Sequence, residues 1–276
     1  MLWNYLTSRK YHCFSLNQMN RPVLDVALLP SLVSPESLTG QTVIVVDVLR
    51  ATTTIVSALY NGCTEIMPQP TVEAAREAFR QFQGDAVIGG ERGGKIVEGF
   101  HHGNSPIEYT PSTIKGKTLI LATTNGTVAM EHCRAANRVL IGAMVNLEAV
   151  AQQVKEDSQV TVICSGTDRC ITSEDVLFAG ALVDRIMALR TESNQPSGQL
   201  TDMASIALGH WKTTRQELDR GKPLADFFRN ARGGINLVKI GHDPDIVFAS
   251  QIDTFDLVPE LDLQHWIIND PQSPKN

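Results

Sequence analysis

Three apolar runs in this chain stop abruptly at clusters of small polar residues, and a helix-forming stretch follows each. Residues 42–46 run into Asp47-Val48-Leu49-Arg50-Ala51-Thr52-Thr53-Thr54, and residues 118–122 into Thr123-Thr124-Asn125-Gly126-Thr127. Residues 160–163 run into Cys164-Ser165-Gly166-Thr167, with Ser173-Glu174-Asp175 opening the next helix. Short runs that are nearly all apolar read as strands buried on both faces, which calls for a parallel sheet covered by helices. In such sheets ligands bind at the carboxyl ends of the strands, where helix N-termini also point their free amides. Three ends rich in Thr, Ser, Asn and Gly point to a site for an anion, foremost a phosphate. Arg50 beside Asp47 adds a cation next to a potential metal ligand, and the chain reads as an enzyme.

Composition narrows the partners. The 276 residues suffice for two compact domains or one large one. Hydrophobic residues make up 42% and charged residues 20%, an ordinary soluble profile. No apolar run approaches the roughly 20 residues needed to span a bilayer, so no membrane partner is expected. A net charge of −6 argues against nucleic acid, whose binding normally leaves a basic face. The five cysteines (Cys13, Cys63, Cys133, Cys164, Cys170) are odd in number and lack a CxxC pair, as in a reduced cytoplasmic protein. No acidic residue precedes Asp25, and the first segment has neither helical nor strand period. Residues 1–22 are therefore expected to be a disordered extension, with Met19 an alternative start.

Strands are expected at 23–29, 42–46, 64–67, 86–88, 118–122, 139–141 and 160–163. Helices are expected at 51–61, 71–82 with Thr71 as cap, 127–135, 146–156, 174–189, 201–220 and 223–229. Residues 191–199 read as a loop, Arg232-Gly233-Gly234 as an interruption, and 245–258 as a last helix and strand. Strands alternating with helices indicate an α/β fold. The expectation is two α/β/α halves of similar element order, 23–130 and 131–276, with largely parallel (mixed) sheets and the active site in the crevice between them.

Several familiar phosphate chemistries are excluded. No G-x-x-x-x-G-K-[ST] loop is present; Lys117-Thr118 merely enters a strand. The D-x-D-x-T signature of a phosphoaspartate phosphatase fails because Leu49 stands two residues after Asp47. C-x5-R fails because Arg169 follows Cys164 one residue too early, and no G-x-G-x-x-G occurs at a strand end. What remains is an unusual site. The glycines at 89, 90, 93 and 94 around Glu91-Arg92 allow close backbone approach to a ligand, or form a turn around a solvated ion pair. Asp47 is a Mg2+ ligand or a helix cap. Arg50 is a bidentate phosphate clamp or the partner of a buried salt bridge to Asp47. Cys164 is a small buried side chain unless it is a nucleophile. Glu174 and Asp175 fall in a helix first turn, where carboxylates are favoured whatever their function. His101-His102 reads as surface.

Seven segments carry a closer likeness. DVLRATTTI (47–55), GGERGG (89–94), GNSP (103–106), TTNGT (123–127), CSGT (164–167), EDVLFAG (174–180) and DIVFASQIDTFDLVPE (245–260) closely resemble the 2-phosphosulfolactate phosphatase family. The likeness runs in unbroken order from about Val23 to Leu261. It implies a two-part α/β architecture and a Mg2+-dependent hydrolase that removes phosphate from 2-phospho-3-sulfolactate, a step associated with coenzyme M synthesis. Asp168-Arg169-Cys170-Ile171-Thr172 stands where relatives are expected to carry a glycine and an aromatic residue, so this loop can alter substrate fit.

The resemblance implies Asp47, Arg50, Glu91, Arg92 and Cys164 as catalytic residues, and Mg2+ on Asp47 and Glu91 with Asp175. Arg50, Arg92, Arg169 and Arg232, with Thr52, Thr53, Thr123 and Thr124, would supply cations and hydroxyls to a substrate bearing phosphate, carboxylate and sulfonate. Asn104, Asn125, Ser165 and Gly166 complete the expected contacts. The attacking group is water or a side chain such as Cys164 or Asp47; water is favoured because a lone cysteine lacks an evident His partner. The expected partner is a small anionic phosphorylated substrate, and a homodimer is compatible with the sequence. The alternatives are a phosphatase of other small phosphorylated hydroxy acids, such as phosphoglycolate or phospholactate, and a non-catalytic binder of a phosphorylated metabolite.

Overall fold

The computed structural model describes residues 21–272; residues 1–20 of the extension expected over 1–22, Cys13 among them, lie outside the described residues. The strands are β1 Val23–Ala27, β2 Thr42–Val46, β3 Glu65–Gln69, β4 Ala86–Arg92, β5 Lys95–Ile96, β6 Thr118–Ala122, β7 Arg138–Gly142, β8 Gln159–Cys164, β9 Gln199–Leu200, β10 Glu260–Asp262 and β11 Ile267–Asn269. The helices are α1 Ala51–Tyr60, α2 Val72–Gln81, α3 Pro111–Ile114, α4 Gly126–His132, α5 Leu147–Val154, α6 Ser173–Glu192, α7 Asp202–Asp219, α8 Leu224–Asn230, α9 Arg232–Lys239 and α10 Asp243–Ala249.

All described strands join one mixed, mostly parallel sheet in the order β5-β4-β6-β3-β11-β10-β7-β2-β8-β1-β9. It consists of two parallel blocks. In one, β6 lies between β4 and β3, and β5 adds an antiparallel edge. In the other, β7, β2, β8, β1 and β9 run parallel. The β10–β11 hairpin stitches the blocks together, β10 antiparallel to β7 and β11 antiparallel to β3. Three antiparallel steps reverse the chain direction across this seam, so the blocks run in opposite senses. Strands from both sides of residue 130 interleave: β2 sits between β7 and β8.

The pleat explains why β2 is apolar throughout. Its side chains alternate between faces. Ile44 and Val46 enter a core shared with α5, α6 and α7, while Val43 and Val45 enter the opposite core with α1. Both layers are needed to cover a strand buried on each face. A third cluster of Val72, Ala75, Ile88, Phe100, Ile120 and Ala122 lies under α2.

Local signals set several boundaries. Thr71 caps α2 by accepting the Ala74 N–H at 3.0 Å, and Thr201 caps α7 through the Ala204 N–H at 3.2 Å. Arg232-Gly233-Gly234 does not interrupt the chain but forms the first turn of α9. The expected terminal strand does not form within residues 245–258; α10 ends at Ala249, and pairing resumes only at Glu260. The turn of the β10–β11 hairpin is set by Asp262, whose Oδ1 accepts from Gln264 N at 2.8 Å and His265 N at 3.0 Å. Among the described residues Cys63, Cys133 and Cys164 are buried free thiols and Cys170 is an exposed one. No helix among them is long and apolar enough to cross a membrane.

Candidate active site

A cavity of about 370 Å³ opens where the carboxyl ends of β2, β4, β6 and β8 converge beneath α9. The strand ends contribute Asp47, Arg50, Glu91, Thr123, Thr124 and Asn125 to its lining, with Thr167 and Asp168 beyond β8. Asn104 comes from the loop after β5, and α9 supplies Gly233, Asn236, Leu237 and Lys239.

Asp47 is the first residue after β2 and is buried. Its Oδ1 accepts the Ala51 N–H at 3.3 Å, an amide of the first turn of α1, whereas its Oδ2 has no hydrogen-bond partner among the described residues. Burial, then the Asp175 carboxylate, pushes its pKa up to about 8, with Glu91 adding to the rise. Such a carboxyl carries full charge at neutral pH only when further positive charge stands beside it. Glu91, at the end of β4, is fixed on both oxygens: Oε1 accepts from Thr124 N at 3.1 Å and Thr124 Oγ1 at 2.6 Å, and Oε2 from Gly94 N at 2.8 Å. Oε1 thereby fills both of its lone pairs, whereas Oε2 retains one for a further contact.

Arg50 pairs not with Asp47 but with Asp245 of α10. Its Nη1 donates to Asp245 Oδ2 at 2.6 Å and its Nη2 to the Gly94 carbonyl at 2.7 Å, with both charged side chains buried. Ser105 Oγ donates to the other Asp245 oxygen, and His242 Nδ1 lies 3.1 Å from Oδ2. The guanidinium is thus held rigidly at the cavity wall. Asn104 is buried on that wall, and its Oδ1 has no partner among the described residues.

Several residues expected at the site serve the scaffold beneath it. Asp175 accepts from Val48 N and Gly166 N, both at 2.9 Å, and from Thr172 Oγ1 at 3.1 Å. It ties the end of β2 to the end of β8, does not line the cavity, and has its pKa raised to about 6 by burial. Thr52 Oγ1 donates to the Asp47 carbonyl and Thr53 Oγ1 to the Val48 carbonyl, so both hydroxyls face backbone rather than cavity. Cys164 lies fully buried in the core with α6. Burial, followed by Asp175 and Glu174, raises its thiol well above the ordinary range, which keeps it protonated. Ser165 is buried, and its Oγ has no partner among the described residues. Gly166 has φ +66°, and a Cβ there would strike Leu29 and the Cys170 carbonyl.

Three of the four expected arginines are likewise outside the lining. Arg92 is exposed and reaches Thr124 Oγ1 at 3.3 Å. Arg232 is exposed and lies 3.3 Å from Asp168. Arg169 is exposed in a two-residue turn with Asp168, where both residues have left-handed backbone (φ 61° and 53°) closed by the Thr167–Cys170 bridge. This turn geometry favours glycine at its second position, so the loop flagged in the sequence has an unusual residue in a demanding conformation.

Sequence reasoning missed Asp245 as the arginine's partner and α9 as a cavity wall. Asp245 opens the 245–260 segment, but no local pattern ties it to Arg50 across 195 positions. The only hint of α9 was the Gly233-Gly234 pair. A Cβ on Gly233 would collide with Glu174 Oε1, and one on Gly234 with the Phe228 carbonyl. Glu174 is buried, its Oε2 has no partner among the described residues, and its pKa is raised to about 8 by burial and then Asp175.

Fold and site together define an α/β protein with a polar, charge-lined cavity at converging strand ends. The family model described as 2-phosphosulpholactate phosphatase matches residues 27–264. A relative from Clostridium novyi (strain NT), named probable 2-phosphosulfolactate phosphatase, is 34% identical over 86% of this chain and 96% of its own length. A relative of the same name from Synechococcus sp. (strain CC9605) is 38% identical over 82% of this chain and 90% of its own. One from Caldanaerobacter subterraneus subsp. tengcongensis is 34% identical over 83% and 91%. This chain belongs to the 2-phosphosulfolactate phosphatase family, whose members are phosphoric monoester hydrolases.

Proposed function

We propose that this chain is a Mg2+-dependent phosphatase that hydrolyses 2-phospho-3-sulfolactate to 3-sulfolactate and phosphate, a cytoplasmic step associated with coenzyme M synthesis. The observation that carries the reading is the donor set at the strand ends. Asp47 Oδ2 and Asn104 Oδ1 are unpartnered oxygens on residues lining one cavity with Glu91. Among the described residues no cluster of three or more His, Cys, Asp or Glu side chains could hold a metal. Mg2+ is suited to less, since it is held by one or two carboxylates, waters and the substrate's own phosphate oxygens.

Charge balance supports the same reading. The lining carries Asp47, Glu91 and Asp168 against Arg50 and Lys239, and Arg50 is already neutralised by Asp245. A substrate bearing phosphate, carboxylate and sulfonate meets net negative walls there without a further cation. Held by Asp47 and Glu91, Mg2+ would neutralise charge on the phosphoryl oxygens. Arg50 orients the phosphoryl group from a fixed position, and the Thr123–Asn125 turn offers hydroxyls and an amide. The attacking group is water, because Cys164 is sealed in the core as a thiol and Asp47 is committed to holding the cation.

A panel of 2-phospho-3-sulfolactate, 2-phospholactate and phosphoglycolate, assayed for phosphate release with Mg2+ and with EDTA, tests this. Hydrolysis of the sulfonated ester with the highest kcat/KM, abolished by EDTA, is expected. Equal turnover of all three esters would refute the substrate assignment, and no release from any would refute the phosphatase reading.

A further inference from the structure

Arg50 and Lys239 are the two cationic side chains that the described residues bring to the cavity lining, and they differ in one respect. Arg50 is satisfied by Asp245 and the Gly94 carbonyl. Lys239 has no hydrogen bond or ion pair with any described residue, although the same lining carries Asp47, Glu91 and Asp168. It sits in the last turn of α9, with Asn236 three residues earlier and therefore adjacent on the helix surface. Gly233, Asn236, Leu237 and Ile240 follow the i, i+3, i+4, i+7 spacing of a single helix face, and all four line the cavity. That face is anchored at its start, where bare Gly233 lies against the buried Glu174 carboxyl with no room for a side chain.

We propose that Lys239, assisted by the Asn236 amide, forms the subsite for the substrate's second strong anion, the sulfonate. The assignment rests on the phosphatase reading above. In that reading the phosphoryl group sits at Asp47, Glu91 and Arg50. The carboxylate shares a carbon with the ester oxygen and stays close to the phosphoryl group. The sulfonate lies one carbon further out, so it is the anion able to reach a second wall. Its three oxygens are acceptors only, matching the ammonium's three donors and the amide N–H groups. Leu237 and Ile240 give that wall an apolar surface for the intervening methylene. Lys239 is then a specificity-determining residue that separates sulfonated from plain phosphoesters.

Lys239→Gln, with Lys239→Arg as the charge-retaining control, tests the subsite by two readouts in Mg2+. Calorimetry compares binding of 3-sulfolactate and lactate. Steady-state kinetics compares 2-phospho-3-sulfolactate with 2-phospholactate. Losing a charge-assisted contact should weaken 3-sulfolactate about tenfold or more. It should lower the kcat/KM ratio of sulfonated to plain ester by a similar factor, carried by KM, with part of the loss restored by Lys239→Arg. Unchanged 3-sulfolactate affinity in Lys239→Gln, equal losses on both esters, or no 3-sulfolactate binding by the parent would each overturn the proposal. A parent that binds 3-sulfolactate through Lys239 yet releases no phosphate would retain the subsite and refute only the phosphatase reading.

Discussion

At the scale of single residues, what decides the site is which polar group is left without a partner. Asp47, Asp175 and Glu174 are all buried carboxyls, yet their surroundings differ. Asp175 takes three hydrogen bonds and joins two strand ends. Asp47 keeps one oxygen unbonded in a residue that lines the cavity. Cys164, one of the side chains the sequence left open as a nucleophile beside the favoured water, is enclosed by core side chains. Cys164→Ser should cost about 1–3 kcal/mol of stability by placing a hydroxyl in an apolar site. It should retain measurable turnover, with no phosphocysteine trapped on acid quench. A stoichiometric phospho-adduct on Cys164 would show that the thiol reaches the substrate.

At the scale of elements, the site is a meeting of strand ends with one helix, and these were not equally legible. Asp47, Glu91 and Thr123–Asn125 could be placed from sequence because a buried parallel strand must be apolar along its length, so the first polar residues after it mark its carboxyl end. The helix α9 could not, because its role depends on where Glu174 and Phe228 lie in space. Arg92, Arg169 and Arg232 look equivalent to Arg50 in sequence, and only the distant Asp245 distinguishes the arginine held at the wall. The Glu174–Gly233 contact can be tested directly. Gly233→Ala drives a methyl into the Glu174 carboxyl, which should cost about 1–3 kcal/mol of stability. It should also raise KM by displacing Asn236 and Lys239. A melting temperature and KM equal to the parent's would show that α9 is not anchored there.

At the scale of the whole molecule, two parallel blocks of opposite sense gather acidic strand ends around one cavity, and pH should reveal the cost. Asp47 and Glu174 have folded pKa values raised to about 8, above their ordinary values of 3.8 and 4.5. A raised pKa stabilises the fold fully below the unfolded value and loses that contribution as pH climbs through the folded one. His102 and His210, whose pKa values are lowered by burial, act in the opposite sense near and below pH 6.5. The chelated protein should therefore lose melting temperature from about pH 6.5 to about pH 8 and level off above. Mg2+ should stabilise it more at the upper end of that window, since ligation requires the deprotonated carboxylate. A flat melting profile over this range in EDTA would contradict the proposed burial of charge. The most direct measurement is a Mg2+ titration of phosphate release from 2-phospho-3-sulfolactate by the parent and Asp47→Asn. Asn keeps the size and nearly all the capping capacity of Asp, so the melting temperature should hold or rise while the rate falls about a hundredfold or the Mg2+ requirement climbs steeply. Wild-type rate and Mg2+ dependence in Asp47→Asn would mean that Asp47 only fixes the start of α1 and that the catalytic centre lies elsewhere.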